Sequence, residues 1–185
     1  MKPKNWLVLV VVVLVVILFF KVLITKNKAV DIKNINEQSY MKIESDVFPN
    51  DGMIPVQYTC YGDKTQIPLK ISGVPQNAKS LGLIVDDPDA PNGDFVHWVV
   101  WNIEPETSII ENNNLPGAVE GNTSLNKPGW VPPCPPSGTH HYNFKLYALD
   151  TLLSIPKSSN KVDFIQATKG HVIDYKVLIG LYGRK

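Results

Sequence analysis

The apolar residues of this chain form two different patterns. Near the N-terminus they form one long run, and further along the chain they form short runs separated by polar residues. Residues 6–20 contain no polar side chain, and residues 22–24 extend the apolar run beyond Lys21. About 19 such residues in a helix span a bilayer core of roughly 30 Å, because each residue adds about 1.5 Å. The pattern therefore predicts an N-terminal transmembrane helix, with residues 1–24 as a membrane anchor that crosses the bilayer through residues 6–24.

A cleaved signal peptide is the main alternative to this anchor. The basic start fits a signal peptide, but no small-x-small cleavage site follows the apolar run, which continues into Lys26 and Lys28. We therefore expect an uncleaved anchor. A four-residue tail ahead of an anchor more often stays inside the cell, so we expect a single-pass membrane protein whose domain lies on the extracytoplasmic side.

The second region is broken into short apolar runs and predicts a mainly β domain. Residues 25–40 are polar and aperiodic, and we interpret them as a stalk that precedes a domain over residues 41–185. Breaks rich in Pro, Gly and Asn separate the apolar runs, as expected of strands with long connections. The runs cover residues 41–48, 70–71, 80–86, 95–103 and 142–149, and residues 175–182 read as a final strand or an apolar tail.

One helix is predicted near the C-terminus. Asn160 is a suitable N-cap for a helix over residues 161–169, Asp163 falls in its first turn, and Gly170 ends it. Val162 and Ile165 would share one face of this helix. The fold class is therefore β-dominated with minor helix.

Charge separates the same two regions and excludes one class of partner. Residues 1–33 hold 6 of the 18 basic residues and 1 of the 17 acidic ones, which leaves the rest of the chain with 12 and 16. A domain with a net charge of about −4 has no general attraction for nucleic acid, and any bound anion needs a local site.

The two cysteines, Cys60 and Cys134, are too few for a metal cluster or a disulfide scaffold. In an exported domain they could form one disulfide, whereas in the cytosol they would stay reduced. The sequence leaves both states open.

A first cluster of polar residues follows the apolar run at residues 80–86. Asp86, Asp87 and Asp89 come at its end, and the prolines that follow Asp87 and Ala90 stiffen the loop. His97 then lies inside a strand that is apolar on both faces, so it needs a hydrogen-bond partner, for which we expect a nearby aspartate. Strict alternation places three residues on the face of His97: Phe95, Val99 and Trp101.

A second cluster begins in the proline-rich loop at residues 132–136. Alternation places His140 and Tyr142 on one face of the strand that follows, and His141 on the other. The backbone amides of residues 137–139 are free donors of the kind that form anion nests. Below His140 and Tyr142 the same face continues with Phe144, Leu146 and Ala148.

These two segments, DDPDAP-x-G-x-F-x-HW and PPCPPSGTHHY-x-F-x-LYALD, resemble the paired signature of the phosphatidylethanolamine-binding protein family, and its bacterial and archaeal Raf-kinase-inhibitor-like branch in particular. The resemblance covers about residues 43–184. It implies a phosphatidylethanolamine-binding-protein-like fold with a large central antiparallel sheet, a smaller sheet and short helices. It also implies a pocket for phosphate-like anions, with these positions: Asp87, His97, His140, Tyr142, Asp89 and Pro136.

On this basis we expect a membrane-tethered binding protein for a phospholipid headgroup or a small phosphorylated molecule, with no cofactor and no metal. His97 and His140 would donate to anion oxygens, Tyr142 would add a hydroxyl, and Asp87 would fix a histidine tautomer. Two departures from the family pattern put the pocket rim in doubt: the stretch at residues 66–71 lacks the tryptophan that relatives carry, and Pro132-Pro133 stands where they carry Gly-Pro.

Three other functions fit parts of the pattern. The family resemblance also implies inhibitors of proteases or kinases, so the outer surface could block an enzyme. Ser137, His140 and Asp87 are the residue types of a hydrolase, but no nucleophile elbow surrounds Ser137. His97, His140 and an aspartate could bind a metal, although no local ligand spacing supports this.

Overall fold

The computed structural model describes residues 40–111 and 114–184. The predicted anchor and the stalk up to residue 39 lie outside this range. Within it, no helix has the length and hydropathy that a membrane span requires.

Two sheets and one helix form the described part of the chain, as the sequence predicts, and a 3-10 turn at Val56–Tyr58 joins the second and third strands. The predicted strands are present, but three strands of two residues each, β2, β6 and β7, carried no sequence signal. The elements in chain order are β1 (Lys42–Glu44), β2 (Gly52–Met53), β3 (Leu69–Ser72), β4 (Ser80–Asp87), β5 (Phe95–Ile103), β6 (Ile109–Ile110), β7 (Val119–Glu120), β8 (Gly138–Leu149), α1 (Lys161–Ala167) and β9 (Val172–Arg184).

The larger sheet has six strands in the order β2-β9-β8-β4-β5-β7, and the smaller has three in the order β1-β3-β6. All pairings are antiparallel except the edge pair of β2 with β9, which is parallel. The longest ladder joins β8 to β9 from Gly138 to Leu149, so β8 lies deep in the sheet with both neighbours in place. This ladder fixes the direction of every side chain on β8.

Strand β4 separates two hydrophobic cores, which is why all eight of its residues are buried. Leu81, Leu83 and Val85 point into the first core, between the two sheets. Ile84 points into the second core, between the large sheet and α1. A side chain at Gly82 would come within 2.4 Å of the Phe164 ring, so the strand needs glycine where the helix crosses it.

Helix α1 begins as predicted and ends two residues early. The Asn160 side chain accepts hydrogen bonds from the amides of Val162 and Asp163, and the Asp163 carboxylate accepts one from the Asn160 amide. Of the two residues expected on its apolar face, Ile165 packs against the second core, but Val162 is 74% exposed, and Phe164 is the residue buried against the sheet.

Candidate functional site

A buried carboxylate–imidazole pair lies at the end of β4. The Nδ1 atom of His140, on β8, is 2.7 Å from Oδ2 of Asp87, and both side chains are less than a tenth exposed. The other carboxylate oxygen of Asp87 accepts the backbone amide of Asp89 at 2.9 Å. Both carboxylate oxygens are therefore engaged, and the His140 ring is held in one orientation.

His97 reaches the same region through a β-bulge that the sequence did not indicate. Val85 pairs with Trp98 while Asp86 pairs with Val96, so His97 is the extra residue on β5. The bulge turns His97 toward Tyr142, with the two ring centroids 5.2 Å apart. The expectation that His97 shares a face with Val99 and Trp101 was therefore wrong, since those two residues lie in the second core. Its contact with Phe95 is present, at 4.8 Å between ring centroids.

The hydrogen-bond partner of His97 is a backbone carbonyl, not the aspartate expected from the sequence. Its Nδ1 atom lies 2.8 Å from the carbonyl oxygen of Val131, and the amide of Val131 donates to the carbonyl of His97 at 3.0 Å. Burial lowers the pKa of His97, and the Val131 hydrogen bond and the nearby Asp87 carboxylate only partly oppose this. The ring of His97 is therefore neutral at neutral pH.

Tyr142 lies beneath the two histidines and is fully buried. Burial raises the pKa of its hydroxyl above the usual value, and the Asp87 carboxylate raises it further. The phenol therefore stays protonated across the physiological range. On β8, alternation correctly placed Tyr142 on the core face with Phe144 below it.

A cavity of about 160 Å³ opens between β4, β5 and the proline-rich loop. A cavity of this volume suits a small ionic group. Among residues 40–111 and 114–184, no lysine or arginine lines it. The lining residues are Asp87, Ala90, Pro91, Phe95, His97, Val131, Pro132, Cys134, Pro136 and His140.

Four of the six predicted pocket residues line this cavity: Asp87, His97, Pro136 and His140. Tyr142 lies behind the histidines, outside the lining. The amides of residues 137–139, expected as anion donors, also lie outside it, and β8 already begins at Gly138. The lining positions at residues 90, 91, 95, 131, 132 and 134 were not identified as pocket residues from the sequence, although all of them except Val131 belong to the motifs quoted above.

Asp89, the sixth predicted residue, forms a separate pair at the surface. Its carboxylate accepts hydrogen bonds from Nδ1 of His141 at 2.7 Å and from the His141 amide at 2.8 Å. These two bonds lower the pKa of Asp89. The pair ties the loop after β4 to β8, so Asp89 positions this loop and does not line the cavity.

A disulfide joins Cys60 to Cys134, which lies in the wall of the cavity. The Cys60 amide also donates to the carbonyl of Pro133 at 3.0 Å, so two bonds join the 3-10 turn region to the proline-rich loop. The bridge spans 74 residues of sequence. In the chain-entropy treatment, such a crosslink stabilises the folded state by about 4 kcal/mol.

The opposite face of the sheet holds a charged cluster that the sequence analysis did not identify. Asp86 is fully buried, and its carboxylate binds Nζ of Lys145 at 2.6 Å and also Nζ of Lys161. The side-chain Nδ2 of Asn143 donates to the other carboxylate oxygen at 3.3 Å, and Lys161 also forms an ion pair with Asp94. Strand alternation sends Asp86 and Asp87 to opposite faces, which the spacing could have indicated.

Two further expectations concern the surroundings of the cavity. Residues 66–71 do not line it, because Ile67, Leu69 and Ile71 are buried in the first core. The departure there from the family pattern therefore does not reach the cavity lining, whereas the one at Pro132 does. Within residues 40–111 and 114–184, no group of three His, Cys, Asp or Glu side chains is arranged to hold a metal ion.

A two-sheet β domain with a buried Asp–His pair at the mouth of a small cavity defines a recognisable class of protein. The family profile described as phosphatidylethanolamine-binding protein matches residues 44–183. This chain belongs to the phosphatidylethanolamine-binding protein family.

Its relatives include archaeal and bacterial proteins. A UPF0098 protein of Pyrococcus horikoshii is 46% identical over 158 residues, which cover 80% of this chain and 79% of that protein. A Mycobacterium tuberculosis protein named as a lipoprotein, LppC, is 37% identical over 145 residues, or 77% and 72% of the two chains.

Solved structures agree with the fold. The crystal structure of a phosphatidylethanolamine-binding protein homologue from Chlamydia trachomatis superposes with a TM-score of 0.76 at 38% identity, covering 80% of this chain and 99% of that one. Escherichia coli YbcL, described as a new member of the mammalian family, superposes with a TM-score of 0.72 at 26% identity, covering 78% of this chain and 99% of YbcL.

Proposed function

We propose that this protein binds a phosphate-like oxyanion in the cavity between His97 and His140, as a membrane-tethered binding protein. The observation that carries the proposal is the Asp87–His140 pair at the cavity wall. With Nδ1 donating to Asp87, protonation of Nε2 makes His140 a cationic donor whose charge Asp87 balances. In a lining without lysine or arginine, this imidazolium is the group suited to attract an anion.

The proposal is one of binding without catalysis. Ser137, the candidate nucleophile of a hydrolase, is exposed on the proline-rich loop and does not line the cavity. The volume of about 160 Å³ matches a phosphate group or the end of a phosphorylated headgroup. A small, largely preformed pocket of this kind gives specificity through a few fixed polar contacts.

Calorimetric titration of the full-length chain with inorganic phosphate tests this function, with His140→Ala as the variant and His171→Ala as its matched control. We expect saturable binding to the wild type and to His171→Ala, and none to His140→Ala. His171 also forms a pair with an aspartate, Asp150, but that pair is at the surface and does not line the cavity. Absence of binding to the wild type at millimolar phosphate would refute the anion site and favour inhibition of a protease or kinase through the outer surface.

We also propose that the domain is held on the extracytoplasmic side of a membrane through residues 6–24. The Cys60–Cys134 disulfide supports an oxidising compartment, and a relative named as a lipoprotein is consistent with membrane association in this family. Treating intact expressing cells with protease tests the topology. A C-terminal epitope should be digested without lysis, and its protection in intact cells would contradict this orientation.

A further inference from the structure

Within the described residues, part of the larger sheet is uncovered on the face that carries α1. Tyr175 on β9 lies opposite Tyr147 of the second core, with the two ring centroids 4.8 Å apart, so alternate residues of β9 point to this face. Four apolar side chains do so, and we call them the β9 stripe: Tyr175, Val177, Ile179 and Leu181. In the described part of the chain the stripe belongs to neither hydrophobic core, because α1 packs over β4, where Phe164 lies against Gly82.

The β9 stripe is open to solvent and continues onto the neighbouring strand. Tyr175 and Val177 are exposed, and Ile179 and Leu181 are half-buried. Met53 on β2 pairs with Leu181, so its side chain lies on the same face, and it is 56% exposed. Single exposed apolar residues are common, whereas a row of them along one sheet face marks an interaction surface.

The β9 stripe lies beside the point where the described domain begins. Tyr40, the first described residue, is exposed and lines a surface groove. Val177 of the stripe lines the same groove, because β1 packs next to β9. The chain therefore enters the domain at the border of the stripe, and Tyr40 adds a further exposed aromatic side chain there.

The distance along the chain from this entry point to the proposed anchor is short. Residues 25–39 separate Tyr40 from the apolar run at residues 6–24, and a segment of that length spans at most about 50 Å when fully extended. A tether of this length keeps the entry point of the domain near the bilayer and raises the effective concentration of lipid there. Weak apolar contacts are then sufficient for docking.

We propose that an apolar patch formed by the β9 stripe, Met53 and Tyr40 docks on the lipid surface that holds the anchor. This inference rests on the proposed membrane tether and adds a contact between the domain itself and the bilayer. Tyrosine suits such a surface, because its ring is apolar while its hydroxyl can remain with the headgroups. The domain carries a net negative charge, so apolar area provides the attraction, and docking should not require anionic lipid.

Nitroxide labels on the full-length chain in phosphatidylcholine vesicles test the docking. The two native cysteines form a disulfide, so a label reacts with an introduced cysteine, either Met53→Cys in the apolar patch or Leu125→Cys as the matched control. Leu125 is 50% exposed, but it lies next to β5, towards the opposite edge of the sheet. Oxygen concentrates in lipid and a nickel chelate stays in water, so the ratio of their collision rates with the label reports contact with the bilayer. We expect a higher oxygen-to-nickel ratio at residue 53 than at residue 125.

Val177→Asp, introduced into the chain labelled at residue 53, tests whether the β9 stripe makes the contact. A carboxylate in the middle of the stripe is costly to place against lipid, so the ratio at residue 53 should fall to the value at residue 125. Val177 is exposed and belongs to neither core of the described residues, so both cores stay intact. If this variant fails to fold, the comparison of residues 53 and 125 in the chain with Val177 in place still decides.

The outcomes separate docking from tethering. Equal ratios at residues 53 and 125, in a chain that sediments with the vesicles, would overturn the docking and leave the tether standing. A chain that does not sediment with the vesicles would overturn the tether, and the docking with it. Low collision rates of the label at residue 53 with both reagents, together with spin–spin broadening, would show that a second copy of the chain covers the stripe, and would also overturn the docking on lipid.

Discussion

Asp86 and Asp87 are neighbours on β4, yet the protein uses their carboxylates in opposite ways. Asp86 lies on the face covered by α1, fully buried, and is bound by the permanent cations Lys145 and Lys161. Asp87 lies on the cavity face, and its partner is the titratable ring of His140. A lysine pair keeps the same charge at all physiological pH values, whereas an imidazole can gain or lose its proton there. The first arrangement suits stability and the second suits a site that responds to a ligand.

The two faces are also closed in different ways. On the Asp86 side, α1 packs over the sheet, with Phe164 filling the space above Gly82. On the Asp87 side, the proline-rich loop is held by the disulfide and by two hydrogen bonds between His97 and Val131. Helix α1 packs directly on the Asp86 face of the sheet and buries apolar area there. The proline-rich loop is stiff and tethered, so it can remain at a distance from the Asp87 face and leave a cavity between itself and the sheet.

The largest effect on stability that we expect comes from the disulfide on the cavity face of the sheet. Reduction of the Cys60–Cys134 disulfide should lower the free energy of unfolding by about 4 kcal/mol, because the unfolded chain regains the entropy of a long loop. Urea unfolding with and without a dithiol reductant measures this difference. The double variant Cys60→Ser, Cys134→Ser is the control and should not respond to reductant. An unchanged midpoint for the wild type after complete reduction would contradict the role of the bridge.

The next effect concerns the lysine-bound carboxylate. Asp86→Asn should lower the free energy of unfolding by about 3 kcal/mol, since it leaves Lys145 and Lys161 close together without their shared counter-ion. This is the lower end of the range for buried pairs, because both lysines keep about a fifth of their side-chain surface exposed. Affinity for phosphate should not change.

Asp94→Asn is the matched control for Asp86→Asn, because Asp94 binds the same Lys161 from a more exposed position. Asp94→Asn should lower the free energy of unfolding by no more than about 1 kcal/mol. If the two variants were equally stable, the burial of Asp86 would not be the source of its effect.

The sequence predicted the cavity side of β8 better than that of β5, and the reason is regularity. On β8 the register with β9 is unbroken from Gly138 to Ala148 and that with β4 from Asn143 to Leu149, so alternation placed His140, Tyr142 and Phe144 correctly. On β5 the bulge at His97 adds one residue and reverses the side-chain direction before Val99. Bulges arise from the fit between neighbouring strands, and that fit is not visible in the periodicity of one strand.

Hydrogen-bond and ion-pair partners that are distant in sequence could not be predicted either, although the residue types indicated which side chains need a partner. The sequence indicated that His97 needs a partner but favoured an aspartate, whereas the Val131 carbonyl is 34 residues away and carries no side-chain signature. Lys145 and Lys161 approach Asp86 from β8 and α1. The motifs identified which residues surround the cavity, and only the three-dimensional arrangement shows which atoms face one another.

On the cavity face, Asp87→Asn should weaken phosphate binding at pH 7 about tenfold, because the cationic form of His140 loses a charge-assisted hydrogen bond. The asparagine oxygen can still accept from Nδ1, so the fold should be retained. Calorimetry on the wild type and the variant measures the change, with Asp86→Asn as a control that should bind normally. Unchanged affinity of Asp87→Asn would show that His140 needs no counter-ion to hold an anion.

The smallest effect is on the pH dependence of stability, and its sign follows from the lowered pKa of His97. The unfolded ring has a pKa near 6.5, so below that pH the unfolded state binds a proton that the buried ring resists. Stability from this residue is therefore present above pH 6.5 and is lost as pH falls toward the lower folded pKa. In urea unfolding between pH 7.5 and 5, the wild type should lose more stability than His97→Gln.

His141→Gln is the appropriate comparison for this pH experiment, because its imidazole lies at the surface, in a pair with Asp89, and no buried ring is removed. This variant should retain the steep decline of the wild type. A parallel decline in wild type and His97→Gln would mean that His97 is protonated in the folded protein. Such a result would contradict the lowered pKa that burial gives this ring.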